Sequence, residues 1–363
     1  MSLRFAAVLF VATSAVASTA WAEEPLAEGS TEKVNLSFPA PSASANLPFS
    51  WKAQFEKPTA TFLRVHFSDI SDRSNVDFEV AVLDRNRRNI RTYYKADFDR
   101  GAFWSPVIKG DAINVEVTSI NAPVGLTFMI DEIAFQEKHA AKFSLVHNPP
   151  ELEEIIKYKS EAQIFVPSRA VAKLVFSANG KSYTCSGFLV TEDRFLTNQH
   201  CIGQKETCVG NAVAIFGYEL TDTGLAEGEQ FECVELLSSD ATLDFALIRL
   251  GSKPGRKYGW LELTNRSVEQ DEQTYLIQHP GGEPKQIARK QCFVSTLNAD
   301  GFSPGTDLGH QCDTVGGASG SPLLGKDFKV VGLHHLGFSS IGRWKNENRA
   351  VQIGKLMDRL MLK

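Results

Sequence analysis

The chain has 363 residues, 43% hydrophobic and 22% charged, an ordinary composition for a globular protein and enough length for two cores. Its formal net charge is −5, and the 38 Lys and Arg are interspersed with 43 Asp and Glu. No basic stripe runs through it, which excludes nucleic acid as an implied partner.

The first 22 residues read as a cleavable secretory signal peptide: Arg4 gives a positive start, Phe5 to Ala17 are apolar, and Ala20-Trp21-Ala22 is a small-x-small cleavage site. The apolar core is short for a membrane-spanning helix, and the polar residues after Ala22 are no stop-transfer signal. A secreted or periplasmic monomer beginning at Glu23, without stable membrane insertion, is therefore expected. Residues 23–45, rich in Ala, Ser, Pro and Glu, read as a flexible mature N-terminus.

From 46 to 138 short alternating runs recur between turn signals: Thr61 to His66, Val76 to Val82, Ala112 to Val117 and Leu126 to Ile130. Spacing of this kind predicts a β-sandwich. Phe103-Trp-Ser-Pro-Val-Ile-Lys-Gly-Asp111, followed by an alternating strand, is similar to accessory sandwich modules of secreted bacterial peptidases. Residues 139–165 form a connector, with Asn148-Pro149-Pro150 as a breaker and a polar helix expected over Glu151 to Glu161. Strands resume at Val171–Phe176, Phe188–Val190, Ala212–Phe216, Phe245–Leu250, Tyr275–Gln278 and Val330–Leu333. Apolar residues at 353, 356, 357 and 360 fit one face of a C-terminal helix.

All six cysteines, Cys185, Cys201, Cys208, Cys233, Cys292 and Cys312, fall in the second half. In an oxidising compartment an even count implies three bridges, with fifteen connectivities open. No Cys-x2-Cys pair supports a metal site.

A hydroxyl becomes a nucleophile only when a base takes its proton, and the base needs a carboxylate to hold its tautomer. Asp313-Thr-Val-Gly-Gly-Ala-Ser319-Gly-Ser-Pro322 offers the hydroxyl of Ser319 among glycines that let the amides of Gly317 and Ser319 converge as an oxyanion hole. Phe195-Leu-Thr-Asn-Gln-His200-Cys201 offers a base at a strand end. Leu243-Asp244-Phe-Ala-Leu-Ile-Arg-Leu250 offers a carboxylate opening an apolar strand, a costly place unless it is hydrogen-bonded. Each alone reads as easily as a structural residue.

Together they resemble the trypsin/chymotrypsin family of serine endopeptidases. The order His…Asp…Ser, Thr-x-x-His-Cys, Asp-x-Ala-Leu and Gly-x-Ser-Gly-x-Pro are shared with that family, over about residues 170–360. Gly-x-Ser-Gly-Ser-Pro, Val331-Gly-Leu-His334-His335 and Asn348-Arg-Ala-Val351 are similar to the secreted bacterial glutamyl and lysyl endopeptidases. The resemblance implies an all-β double six-stranded barrel over 166–363, a triad of His200, Asp244 and Ser319, and polypeptide substrates with no cofactor and no metal. It also implies a Cys185–Cys201 bridge, worth roughly 3 kcal/mol on the chain-entropy model. Cys208–Cys233, either side of a 217–230 loop, and Cys292–Cys312 are the favoured remaining pairs. Where mammalian members place an Asp that receives a freed N-terminus stands Ala318, so activation by that salt bridge is excluded, and latency would have to come from the N-terminal domain covering the cleft. Asp313, six residues before Ser319, suggests a Lys or Arg P1, whereas His334 aligns with a His that reads Glu; the alternative for each is structural, Asp313 hydrogen-bonded to nearby backbone and His334 a satisfied core residue. His334 and His335 point to opposite strand faces and cannot easily share a metal ion. The rivals are a non-catalytic binding protein on the same fold and an esterase using the same triad.

Overall fold

Two-residue alternation gives a strand one dry and one wet face, and such strands must stack in pairs of sheets. The structure, a computed structural model, describes residues 25–42, 47–136, 143–144, 146–147, 149–337 and 347–360. The signal peptide expected at 1–22 lies outside the described residues.

Phe49–Glu56, Ala112–Ser119, Glu79–Asp84 and Asn89–Tyr94 form a four-stranded antiparallel sheet. Facing it are Phe62–Asp72, Leu126–Gln136 and Phe103–Trp104, and the layer between them buries Leu63, Val65, Phe67, Val80, Val82, Val115, Val117, Phe128 and Ile130. This is a sandwich over the region where alternation predicts one, but it begins earlier. The residues expected to be a flexible N-terminus supply Leu26–Ser37, a 12-residue strand. It pairs with Leu126–Gln136 on one side and Lys181–Leu189 on the other. Leu26 to Ser30 pair on one side and Gly29 to Ser37 on the other, so the strand is held through its backbone along its whole length and a polar composition does not prevent it. Sandwich and first barrel thereby share one 11-stranded sheet.

The first barrel closes with six strands: Val171–Ala178, Val213–Thr221, Gly224–Asp240, Phe245–Leu250, Arg194–Thr197 and Lys181–Leu189, the last pairing back to the first. The expected 217–230 loop is a hairpin instead, turning between Thr221 and Gly224. The second half is an eight-stranded sheet rather than a six-stranded one. Two departures from the simple barrel raise the number. The run from Gln286 to Ala299 breaks into Gln286–Ala288 and Val294–Ala299, and the connector adds Glu153–Glu154, paired to Gln286–Ala288. The polar helix expected over Glu151 to Glu161 is thus a docked strand followed by a 3-10 turn, Ile155–Tyr158, whose Ile155 and Tyr158 are buried. The C-terminal helix shrinks to Ile353–Leu356, because Asn348–Gln352 is a strand paired on both sides. Ile353, Leu356 and Leu360 still share a buried face, while Met357 is exposed. The disulfides are Cys185–Cys201, Cys208–Cys233 and Cys292–Cys312. Among the described residues no helix is long and apolar enough to cross a membrane.

Candidate active site

Arg194–Thr197 and Phe245–Leu250 are neighbours in the first barrel, with Thr197 opposite Ala246. That register brings the residues just beyond one end together, and these are His200 and Asp244. Asp244 is fully buried, with Oδ1 accepting the His200 backbone N–H at 2.9 Å and Oδ2 lying 2.8 Å from His200 Nδ1. Asn198 Nδ2 donates to the Asp244 carbonyl at 2.8 Å, fixing its backbone in turn. Burial pushes the Asp244 carboxyl up. The charge and hydrogen bond of His200, then those of His335, outweigh it and hold the carboxyl well below the usual range.

Ser319 lies in the turn between Thr314–Val315 and Pro322–Leu324. Its carbonyl accepts the Ser186 N–H at 2.8 Å, and Ser186 Oγ donates to the Gly317 carbonyl at 2.9 Å. Ser186 adjoins Cys185, whose bridge to Cys201 adjoins His200, so two hydrogen bonds and a disulfide link the Ser319 turn to the loop bearing His200. The glycines are required here. Gly320 has φ +89°, and a Cβ on it would sit 2.1 Å from the Ser186 carbonyl oxygen. Gly317 has φ +94°, with the His279 carbonyl oxygen 3.0 Å from the corresponding point.

The sequence reading missed the partners behind Asp244. His335 Nδ1 lies 3.2 Å from Asp244 Oδ2, and its Nε2 lies 2.6 Å from Asp307 Oδ2, all three groups being buried. Burial pushes the His335 imidazole down, but hydrogen bonds to the two carboxylates override it and raise the ring to about 10. The available signal was the His-His pair itself: on a strand its members face opposite ways, and His335 is the one that faces Asp244. A protonated His335 shares the Asp244 charge with His200. The other imidazoles near it, His310 and His334, are pushed down by burial and stay neutral. As His335 loses its proton, Asp244 serves His200 alone and the His200 ring becomes more basic; were His200 a catalytic base, it would strengthen with it. A second rise in kcat/KM near pH 10 is therefore expected, and His335→Gln should abolish it; a wild-type profile flat there would refute the coupling. The same ionisation contributes stability that is fully present below the ordinary value of 6.5 and is lost as pH rises through about 10.

Asp313 is buried, and its carboxylate is occupied. Oδ1 accepts the amides of Val146 at 2.5 Å and His147 at 2.9 Å, and Oδ2 accepts that of Glu151 at 2.9 Å. It anchors the connector through both carboxylate oxygens. His334 is buried, with Nδ1 3.1 Å from His310 Nε2. Cys185, Cys201 and His200 come within 4.8 Å of one another, but both sulfurs are consumed by their bridge and offer no thiolate.

Residues 185–333 match the family model of the trypsin-like peptidase domain. Secreted RxLR effector protein 73 of Plasmopara viticola is 26% identical over 303 residues, covering 77% of this chain and 75% of that protein. A lysyl endopeptidase of Pseudomonas aeruginosa is 28% identical over 258 residues, covering 61% of this chain and 53% of that protein. Among solved structures, a Glu endopeptidase in complex with MPD superposes with a TM-score of 0.45 at 18% identity, covering 60% of this chain and 97% of that chain.

Proposed function

We propose, for a chain that carries a trypsin-like peptidase domain, that it is an active, exported serine endopeptidase with Ser319, His200 and Asp244 as its triad. The observation that carries this reading is the buried Asp244 carboxylate held by both the backbone and the ring of His200. In that role Ser319 Oγ attacks the scissile carbonyl as His200 Nε2 takes its proton, giving a tetrahedral adduct whose oxyanion faces the amides of Gly317 and Ser319. His200 then protonates the leaving amine, an acyl-enzyme remains on Ser319, and water releases it by the same steps in reverse. Asp244 keeps the His200 proton on Nδ1 and stabilises the imidazolium.

Export is supported by the three disulfides and by the effector relative, whose name describes it as secreted. The basic P1 preference rested on Asp313, and that support goes with the three amides it already binds. The lysyl endopeptidase relative argues for lysine by name only. An acidic P1 rests on His334, which is buried, uncharged and backed by His310. A random peptide library reads the choice: cleavage after Glu that His334→Ala abolishes supports the acidic reading. Cleavage after Lys or Arg would assign the pocket to a carboxylate other than Asp313.

The reaction class has a direct test. A fluorophosphonate should label the wild type at Ser319, and Ser319→Ala should take no label. Equal labelling of the two, or none of the wild type, refutes the triad and favours a non-catalytic binding protein. Hydrolysis of esters without cleavage of any peptide in the library would favour the esterase.

A further inference from the structure

An oxyanion hole works only if the turn that forms it is already in shape when substrate arrives, since reorganising it during reaction adds to the barrier. Ala318, the residue before the nucleophile, has no charge with which to pin that turn. The turn is gripped from outside by two parts of the N-terminal region. On one side the connector docks: Phe143–Ser144 pairs antiparallel with Thr314–Val315, and Asp313, at the root of the turn, binds the amides of Val146, His147 and Glu151. The Asp313 carbonyl is held as well, by Gln278 Nε2 at 2.8 Å.

On the other side lies the first strand. Leu26 covers Gly316, with its Cδ1 3.1 Å from where a Gly316 Cβ would be. The Gly316 carbonyl accepts the Gly281 N–H at 2.7 Å. The turn carrying Gly281 rests on the buried pair of Glu28, from the bulge of the first strand, and Lys173, which donates to the Gly282 carbonyl at 2.7 Å. The strand leading into the nucleophile turn and the first residue of the turn, Gly316, thus both bear on residues that precede the peptidase barrel.

We propose that the N-terminal region is a resident activating clamp, not a cover to be cut away, and that Asp313 is its latch: a positioning residue that carries the connector's grip to the amides of Gly317 and Ser319. The site is the one assigned above, so this inference rests on the triad reading. It reverses the expectation that the N-terminal domain would supply latency. The arrangement does for the turn what a buried charge pair at the residue before the nucleophile would do, using three backbone amides in place of a terminal amine.

The test compares the full-length wild type with Asp313→Ala and Asp313→Asn, each first checked for cooperative thermal unfolding. Asp313→Ala is expected to lower kcat about 10²-fold, as loss of a positioned oxyanion donor does. KM, and the affinity for a non-hydrolysed product peptide, should stay within about threefold, because ground-state binding does not use the oxyanion donors. Affinity for a peptide boronate, which forms the tetrahedral adduct, should fall together with kcat. A residue serving only the fold would lower the folded fraction without separating boronate from product affinity. Asp313→Asn, which keeps one acceptor oxygen for Val146 and His147 but turns an NH2 toward Glu151, should fall between the two and serves if the alanine variant does not fold. Wild-type kcat in a folded variant overturns the clamp, and so does an unchanged kcat with a switched P1 preference. Failure of the wild type itself to label with fluorophosphonate would instead refute the triad, so the two outcomes are distinguishable. Cutting a protease site inserted between Pro149 and Pro150 should lower activity; a rise on cutting also overturns the clamp.

Discussion

Asp244→Asn is expected to lower kcat on peptide amides by about 10⁴-fold while leaving the fold intact, the magnitude seen when a triad carboxylate is replaced by its amide. The backbone should not object. Asp244 sits at φ +47°, a left-handed conformation that Asp and Asn adopt more readily than other residues with a Cβ. The chemistry should object strongly. Both carboxylate oxygens face donors: the His200 N–H on Oδ1, and the rings of His200 and His335 on Oδ2. Asn must present an NH2 to one of them. Placed at the rings, it asks His200 Nδ1 to become an acceptor and moves the proton to Nε2, where the base must be empty to accept from Ser319. Placed at the backbone, it sets donor against donor at the amide that orients the ring. Steady-state kinetics with a circular-dichroism melting curve decides the matter. A loss under tenfold in a well-folded variant would show that Asp244 is not the orienting carboxylate.

What the sequence displayed and what it concealed divide along a physical line. Alternating runs such as Val171 to Phe176 were legible because their pattern is set by their own side chains. The three triad candidates were legible because each sits in a short local context: a strand end, a strand start, a glycine-flanked turn. Asp313 reads two ways in the sequence, as a substrate-reading charge or a structural one, because local spacing cannot show the three amides more than 160 residues upstream that its carboxylate binds. The role of His335 has no local signature, because its partners Asp307 and Asp244 lie 28 and 91 residues away in the chain. The strand Leu26–Ser37 escaped notice for a related reason. Its alternation is confined to Val34, Leu36 and Phe38, at and just beyond its far end, and its one buried carboxylate, Glu28, reads as a solvated charge until Lys173 is placed beside it.

That pair is where the second large effect is expected. Glu28 and Lys173 are both buried, with Lys173 Nζ 3.1 Å from Glu28 Oε1 and 2.7 Å from the Gly282 carbonyl oxygen. Rings of Phe62 and Tyr218, about a cation–π distance away at 5.3 and 5.5 Å, cover the ammonium. The pair joins the first strand, the first barrel and the turn under Gly316. Desolvation is the dominant influence on Glu28 and raises its carboxyl even with Lys173 present. Lys173→Met removes the counter-charge and leaves that carboxylate stranded, at an expected cost of about 3–5 kcal/mol near neutral pH. The double variant Glu28→Gln/Lys173→Met removes both charges and should recover most of the loss, because a buried ion pair contributes little net stability relative to a neutral replacement of similar size. Lowering the pH should narrow the gap between single variant and wild type, since a protonated Glu28 no longer needs its partner. Urea unfolding of the three proteins at two pH values measures all of this. A single variant within about 1 kcal/mol of wild type, or a double variant no better than the single, would mean that water reaches the pair and that the joint is held by backbone pairing alone.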